Sequence, residues 1–149
     1  MLDIILAIAH HLAVFSLAGL IAMELVILRP GLSGDRLQLL GRIDGAYGAL
    51  AGLVIVIGTL RVIFGDAGMG FYIANWVFWM KMAAFALVGI LSIRPTIAII
   101  GWRRAAKTEP GFTVPAEGIA RNRRFLVAEA LIFLSIPVFA AIMARGIGL

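Results

Sequence analysis

The sequence has no cysteine and only two histidines among its 149 residues. Without cysteine the chain cannot form disulfides, cysteine–zinc sites, iron–sulfur clusters or a covalently attached c-type haem. The G-x-S-x-G, H-E-x-x-H and P-loop patterns are also absent, which removes the common hydrolytic and phosphate-binding motifs. Charged residues make up only 14% of the chain. Any chemistry must therefore come from a few polar side chains.

Long apolar segments dominate what remains, since 62% of the residues are hydrophobic. A helix needs about 20 predominantly apolar residues to cross a bilayer. Four segments meet this length, and together they predict a single all-α domain over residues 1–149, a bundle of four transmembrane helices. The predicted spans are residues 2–28, 43–64, 76–100 and 123–144.

The basic residues predict how the bundle is oriented. Six of them lie in the connection 101–124 and three in the connection 29–42. With four spans these two connections share a side, and the excess of Lys and Arg makes it the cytoplasmic one. Both termini then lie on the periplasmic side of a bacterial inner membrane, with the lipid bilayer as the main partner. The net charge of +5 is explained by this topology and does not indicate nucleic-acid binding.

Ionisable residues inside the spans are the strongest functional signal. Each costs roughly 2.5–3.5 kcal/mol at the middle of a membrane helix, so it usually has a partner or a task. Counting 1.5 Å of rise per residue divides them into two layers. The outer layer contains His10, His11, Arg61 and Lys81, and the inner layer contains Glu24, Asp44, Arg94 and Glu129.

The inner layer combines opposite charges from all four spans. The favoured interpretation is a set of ion pairs that fixes the register of the helices, because intramembrane charges usually pair with one another. The alternative is a proton path or an anion site, in which three carboxylates around one arginine share protons.

The outer layer has no carboxylate deeper than Asp3. A neutral imidazole at this depth is a competent ligand for haem iron, and a neutral Lys81 amine could bind on the opposite side. Arg61 would then face the haem propionates. Adjacent helical residues point about 100° apart, so only one of His10 and His11 can face a given ligand, and the sequence does not choose between them. The plainer interpretation is a structural histidine and a lysine that extends to the membrane surface.

Span 2 carries a row of glycines at helical spacing. Small residues at this spacing let two membrane helices approach closely. A helix–helix contact is favoured over a groove for a flat cofactor or lipid, and the same face predicts a homo-oligomer. The row consists of Gly41, Gly45, Gly48 and Gly52.

Two prolines inside the spans predict distortions of their helices. Pro95 and Pro137 each remove a backbone hydrogen bond and are expected to kink the helix. Ser92 and Ser135 precede them closely, and their hydroxyls are expected to satisfy the carbonyls that the prolines release.

Several strings resemble a bacterial family of predicted four-helix membrane proteins, domain of unknown function 2214. The resemblance covers the whole chain and implies the four-helix fold but no activity. The strings are Phe78-Trp79-Met80-Lys81, Leu91-Ser92-Ile93-Arg94-Pro95-Thr96, Trp102-Arg103, Gly41-Arg42-Ile43-Asp44-Gly45 and the pair His10-His11.

A more distant similarity is to the membrane protoporphyrinogen oxidase of the HemJ type. The similarity consists of a histidine before Ala18-Gly19-Leu20, a tryptophan before Lys81, and Arg124-Phe125 followed by Glu129. In that family the histidine is thought to bind b-haem and the lysine is essential. The resemblance therefore implies these roles for His10 or His11 and for Lys81. The asparagine and proline beside the family's glutamate are missing here.

Three hypotheses follow for the function. The first is a b-haem-binding redox or electron-transfer protein. The second is a small oligomeric transporter or channel-like subunit, and the third is a structural membrane subunit without a cofactor. The sequence leaves open whether the protein is an enzyme, and it predicts no metal site other than the haem iron.

Overall fold

Six helices form almost all of the chain in a computed structural model, which describes residues 1–148. They are α1 (Leu2–Ile27), α2 (Gly34–Phe64), α3 (Gly68–Ala74), α4 (Trp76–Thr108), α5 (Ala116–Phe133) and α6 (Ser135–Ala144). Within the described residues the only β pairing is an isolated bridge between Ser33 and Thr113. Four stretches are long and apolar enough to cross a membrane, with α5 and α6 forming one of them. The predicted all-α, four-span fold is confirmed.

The helices extend beyond the predicted spans. α2 begins at Gly34 rather than at residue 43, and α4 continues to Thr108 rather than ending at residue 100. α4 is about 50 Å long at 1.5 Å per residue, whereas the hydrocarbon core is about 30 Å thick. An apolar pattern marks only the part of a helix that lies in lipid, because a helix can continue into water with polar residues. The connection between the second and third predicted spans contains the short helix α3.

The four spans form a ring in which α1 packs on α2, α2 on α4, α4 on α5 and α6, and α5 on α1. Across the ring, the described residues of α1 and α4 make no close backbone contact. α1 and α4 therefore lie diagonally opposite each other in the ring. Side chains from every span can reach the central axis of the bundle.

Two apolar clusters fill the bundle. One lies midway along it and includes Leu17, Val88 and Phe133. The other lies at the end formed by the loops after α1 and α4, here called the loop end, and includes Leu37 and Leu126. Large apolar side chains also cover the outside, as expected for a surface in contact with lipid. Because lipid is as apolar as leucine, close packing rather than exclusion of water holds such helices together.

Polar contacts close the loop end. The amide of Val114 donates to the carbonyl of Leu32 at 2.9 Å, which joins the two loops. Nη1 of Arg123 donates to the carbonyls of Leu25, at 2.6 Å, and Leu28, at 3.1 Å. The last carbonyls of a helix lack partners within the helix, so Arg123 caps the end of α1.

The two prolines have different effects. Pro137 follows a break at Leu134 that separates α5 from α6, as predicted. α4 passes through Pro95 without interruption. The hydroxyls of Ser92 and Ser135 each donate to the carbonyl three residues earlier. A proline releases the carbonyl four residues before it, and neither hydroxyl reaches that carbonyl. The prediction for the two serines is wrong.

Asn75 organises the opposite end of the bundle, which carries both termini and is here called the terminal end. This fully buried residue accepts a hydrogen bond from the amide of Val77 at 2.9 Å and so caps α4. Its amide nitrogen donates to the carbonyl of Ile147 at 3.2 Å. The amide of Trp76 donates to the carbonyl of Gly148 at 3.1 Å. The end of the chain is thereby attached to the start of α4.

Asn75→Ala is expected to lower the free energy of unfolding by about 1–2 kcal/mol. The change removes the α4 cap, typically worth about 1 kcal/mol, and the hydrogen bond to the carbonyl of Ile147, worth about 0.5–1.5 kcal/mol. Thermal unfolding in detergent measures the effect, with Asp66→Ala at an exposed position as the control. Equal stability of the two variants would contradict this role.

Candidate functional site

A cavity of about 180 Å³ lies on the bundle axis toward the terminal end. All four spans and α3 contribute to its wall. We call it the His10 cavity, and its lining includes His10, Arg61, Tyr72, Lys81, Phe85 and Met143. Three of the four side chains predicted for the outer layer therefore meet in one place.

His10 and Lys81 enter the cavity from α1 and α4. These helices lie diagonally opposite each other in the ring, and the two side chains line the same cavity. Arg61 reaches it from α2, between them in the ring. The arrangement places an imidazole, an amine and a guanidinium around a common space.

The His10 ring packs against a glycine that the sequence analysis missed. A Cβ added to Gly58 would lie 3.2 Å from Cε1 of His10, closer than most real Cβ contacts. Gly58 therefore provides the space that the imidazole occupies. Nδ1 of His10 is buried and has no hydrogen-bond partner. Gly58 lies outside the predicted glycine row. Its position three residues before Arg61 was the available sequence signal for its role.

His11 is not part of the cavity. Its side chain is exposed, and its Nδ1 lies 2.6 Å from the carbonyl of Ala7 on its own helix. The two adjacent histidines thus have different surroundings, as their angular separation on a helix requires. Of the two, only His10 is brought together with Arg61 and Lys81.

The cavity carries positive groups without a negative partner. Nζ of Lys81 lies 5.4 Å from the ring centroid of Phe78, within the range of a cation–π contact. Nε of Arg61 is buried without a hydrogen-bond partner. No Asp or Glu side chain belongs to the described lining. Such a site suits a group that brings negative charge or lone pairs.

A second polar group lies closer to the loop end. Glu24, Asp44 and Glu129 are only 3%, 8% and 1% exposed, although they come from three different helices. Glu24 is close to both other carboxyls, and the Tyr47 phenol lies beside Glu129. We call these three acidic residues the carboxyl cluster. The sequence analysis placed them at one depth, and the structure brings them together.

The three carboxyls have unequal surroundings. Oδ1 of Asp44 accepts a hydrogen bond from the Thr96 hydroxyl at 2.7 Å, and Arg103 lies nearby. In contrast, Oε1 of Glu24 and Oε2 of Glu129 are buried without hydrogen-bond partners. A buried polar atom without a partner is rare in native proteins, so these two oxygens call for an explanation.

Arg94, the fourth residue predicted for the inner layer, does not lie with the carboxyls. It is exposed, and its guanidinium carbon is 5.8 Å from the ring centroid of Phe125. The arginine near Asp44 is Arg103, which the sequence analysis assigned to a connection. The Arg103 side chain lies directly against Gly41, and a Cβ at this glycine would overlap it. A glycine one turn before Asp44 was the signal for such a close approach.

The remaining glycines of the predicted row face outward. Gly45, Gly48 and Gly52 are exposed, and a Cβ at any of them would meet nothing within 4 Å. They make no helix–helix contact within the described chain. A contact with a second copy through this face stays a prediction.

Comparison with known proteins places residues 2–148 in a family model described as "Predicted membrane protein (DUF2214)". Comparisons with curated proteins and with solved structures gave no match. The family description is consistent with the four apolar helices and assigns no activity.

Proposed function

This chain belongs to the DUF2214 family of predicted membrane proteins, and from that premise we propose that it binds b-haem in a bacterial inner membrane and transfers electrons. The proposal rests on the His10 cavity. The observation that carries it is the His10 imidazole, whose buried Nδ1 has no hydrogen-bond partner, in a cavity that Lys81 also lines.

The donor set supports haem as the ligand. Cofactor sites in helix bundles are built in the core from side chains on facing helices, and His10 and Lys81 have this relation. Imidazole is the commonest protein ligand of b-type haem iron, and a neutral lysine amine also donates a nitrogen lone pair. We assign His10 as the residue that would bind the iron and Lys81 as a second residue that would hold the haem.

The charge of the cavity supports the same assignment. Arg61 is a cation with no carboxylate among the described lining residues. An unpaired charge within a membrane is costly. A haem brings two propionates, which would balance this charge, with Arg61 as the residue that holds one of them.

The volume of the cavity sets a condition on haem binding. About 180 Å³ is less than the roughly 300–1,000 Å³ typical of ligand pockets, so a porphyrin needs more room. α1 and α4 do not pack closely against each other, and their separation would widen the cavity. Bound haem would supply one-electron chemistry at a potential set by its ligands and burial.

Reduced-minus-oxidised absorption spectra of the detergent-purified protein, loaded with haem, test the proposal. The wild type and His11→Ala are expected to show a Soret band with sharp α and β bands. His10→Ala is expected to lose them, because it removes the iron ligand. Lys81→Met is expected to shift the bands if the amine binds iron.

Two results would overturn the assignment. One is the absence of a band in the wild type after haem has been added back. The other is a band that survives in His10→Ala and is lost in His11→Ala. Such a result would place the iron ligand on the exposed side chain of His11, outside the cavity that Lys81 lines.

A small transporter is the second candidate, and the carboxyl cluster favours it. Buried ionisable side chains in membrane helices often mark proton or ion pathways. A protein without a haem band that carries protons across liposome membranes would support this alternative. A protein with neither property would fit a structural subunit.

A further inference from the structure

The carboxyl cluster contains more acid than the surrounding bases can neutralise. Arg103 is the cation near it, and Arg103 lies on the side of Asp44. The guanidinium of Arg123 is bound to carbonyls at the end of α1. Arg94 is exposed beside Phe125. Among the described residues one cation therefore faces three carboxyls.

Three negative charges cannot coexist in such a site. Like charges that share a buried site disfavour one another, and burial adds to the cost of each charge. The remaining negative charge of the carboxyls must be neutralised by a bound cation or by bound protons. The described His, Asp and Glu residues form no group of three or more that could hold a metal ion. Protons are left as the neutralising ligand.

The individual environments indicate which carboxyls hold protons. Asp44 has a hydrogen-bond donor in Thr96 and a nearby cation in Arg103, both of which favour its carboxylate. Glu129 has the Tyr47 phenol beside it, but Glu24 and Glu129 each keep a buried oxygen without a partner. A neutral carboxylic acid loses much less free energy than a carboxylate when it is buried in this way.

We infer that the carboxyl cluster is a proton-binding site in which Glu24 and Glu129 hold exchangeable protons and Asp44 carries the negative charge. From the helices around it, the groups that face the site are Glu24 on α1, Asp44 and Tyr47 on α2, Arg103 on α4, and Glu129 on α5.

The protons exchange with the loop end of the bundle. The midway apolar cluster lies between the two polar sites, since its Phe133 lines the His10 cavity and its Tyr47 lies beside Glu129. In the other direction, Nε of Arg103 donates to Oε1 of Gln38 at 3.1 Å, and this polar contact extends from Asp44 toward the start of α2. The site does not depend on haem binding.

Labelling with dicyclohexylcarbodiimide tests the inference on the full-length, haem-free protein. This apolar reagent adds to a protonated carboxyl in a membrane, so that one addition raises the mass of the chain by that of the reagent. We expect labelling at neutral pH, located by peptide mass spectrometry at Glu24 or Glu129. It should decline as the pH is raised, because the protons leave.

Matched variants separate protonation from a loss of structure. The double variant Glu24→Gln/Glu129→Gln keeps the shape of both side chains and is expected to abolish labelling. Asp44→Asn is expected to retain labelling, because Asp44 is the charged member. Glu117→Gln, at an exposed position, is the control and should change nothing.

Infrared difference spectroscopy between acidic and alkaline samples provides a second measurement that does not need the reagent to enter. The C=O band of a protonated carboxyl should be present in the wild type, shift in heavy water and disappear in the double variant. The inference is overturned if this band persists in the double variant or is absent from the wild type. Labelling confined to Asp44 would also overturn it.

Discussion

Gly58→Leu is expected to weaken haem binding, and so to reduce the haem absorption bands at limiting haem, while the helices remain folded. The Cβ alone would lie 3.2 Å from Cε1 of His10, and the rest of the leucine would extend into a cavity of about 180 Å³ that Gly58 lines. Overpacking typically costs about 1–3 kcal/mol. If that cost falls on the bound state, haem affinity drops about five- to 150-fold.

Gly48→Leu is the matched control for this experiment. Gly48 lies on the same helix, but it is exposed and has no neighbour within 4 Å of an added Cβ. Haem titration followed by absorbance should therefore give the wild-type result for Gly48→Leu, and circular dichroism should show equal helicity for both variants. Normal haem binding by Gly58→Leu would mean that the ligand does not occupy the space beside His10.

The depth of the polar residues could be predicted from the sequence, because the rise of a helix is fixed. That constraint placed His10, Arg61 and Lys81 together. It also placed Glu24, Asp44 and Glu129 in one layer. The order of the helices in the bundle and the rotation of each helix could not be obtained in this way. His11 and Arg94 have the right depth but are exposed.

Long side chains account for much of the remaining difference. Arg103 begins outside the predicted third span, yet its side chain donates to Gln38 and lies near Asp44. Arg123 reaches the end of α1 in a similar way. Arginine can bury its stem along apolar surface while its head finds a distant partner. The sequence position of an arginine is therefore a poor guide to the depth at which its guanidinium lies.

The glycine row shows the limit of a motif. Small residues at this spacing permit a close approach, but the spacing does not identify which group packs against them. At Gly41 that group is the side chain of Arg103, and at Gly45 and Gly48 no group of the described chain is present. Only packing in three dimensions distinguishes these cases.

Gly41→Leu is expected to lower the free energy of unfolding by about 3 kcal/mol, at the upper end of overpacking effects. A Cβ at this buried position would overlap the Arg103 side chain. The guanidinium would have to leave Gln38, to which it donates a hydrogen bond, and Asp44 would lose its nearby cation. Removing one partner of a buried charged group is costly because the other is left uncompensated.

Gly45→Leu, one turn further along α2, provides the comparison for this prediction. No atom of the described chain lies within 4 Å of an added Cβ there, and leucine favours a helix more than glycine by up to about 1 kcal/mol. Thermal unfolding in detergent should therefore show a loss of stability for Gly41→Leu and none for Gly45→Leu. Equal effects would mean that Arg103 does not need the space at Gly41. A lower oligomer mass in Gly45→Leu alone would instead assign the exposed glycine face to a second copy of the chain.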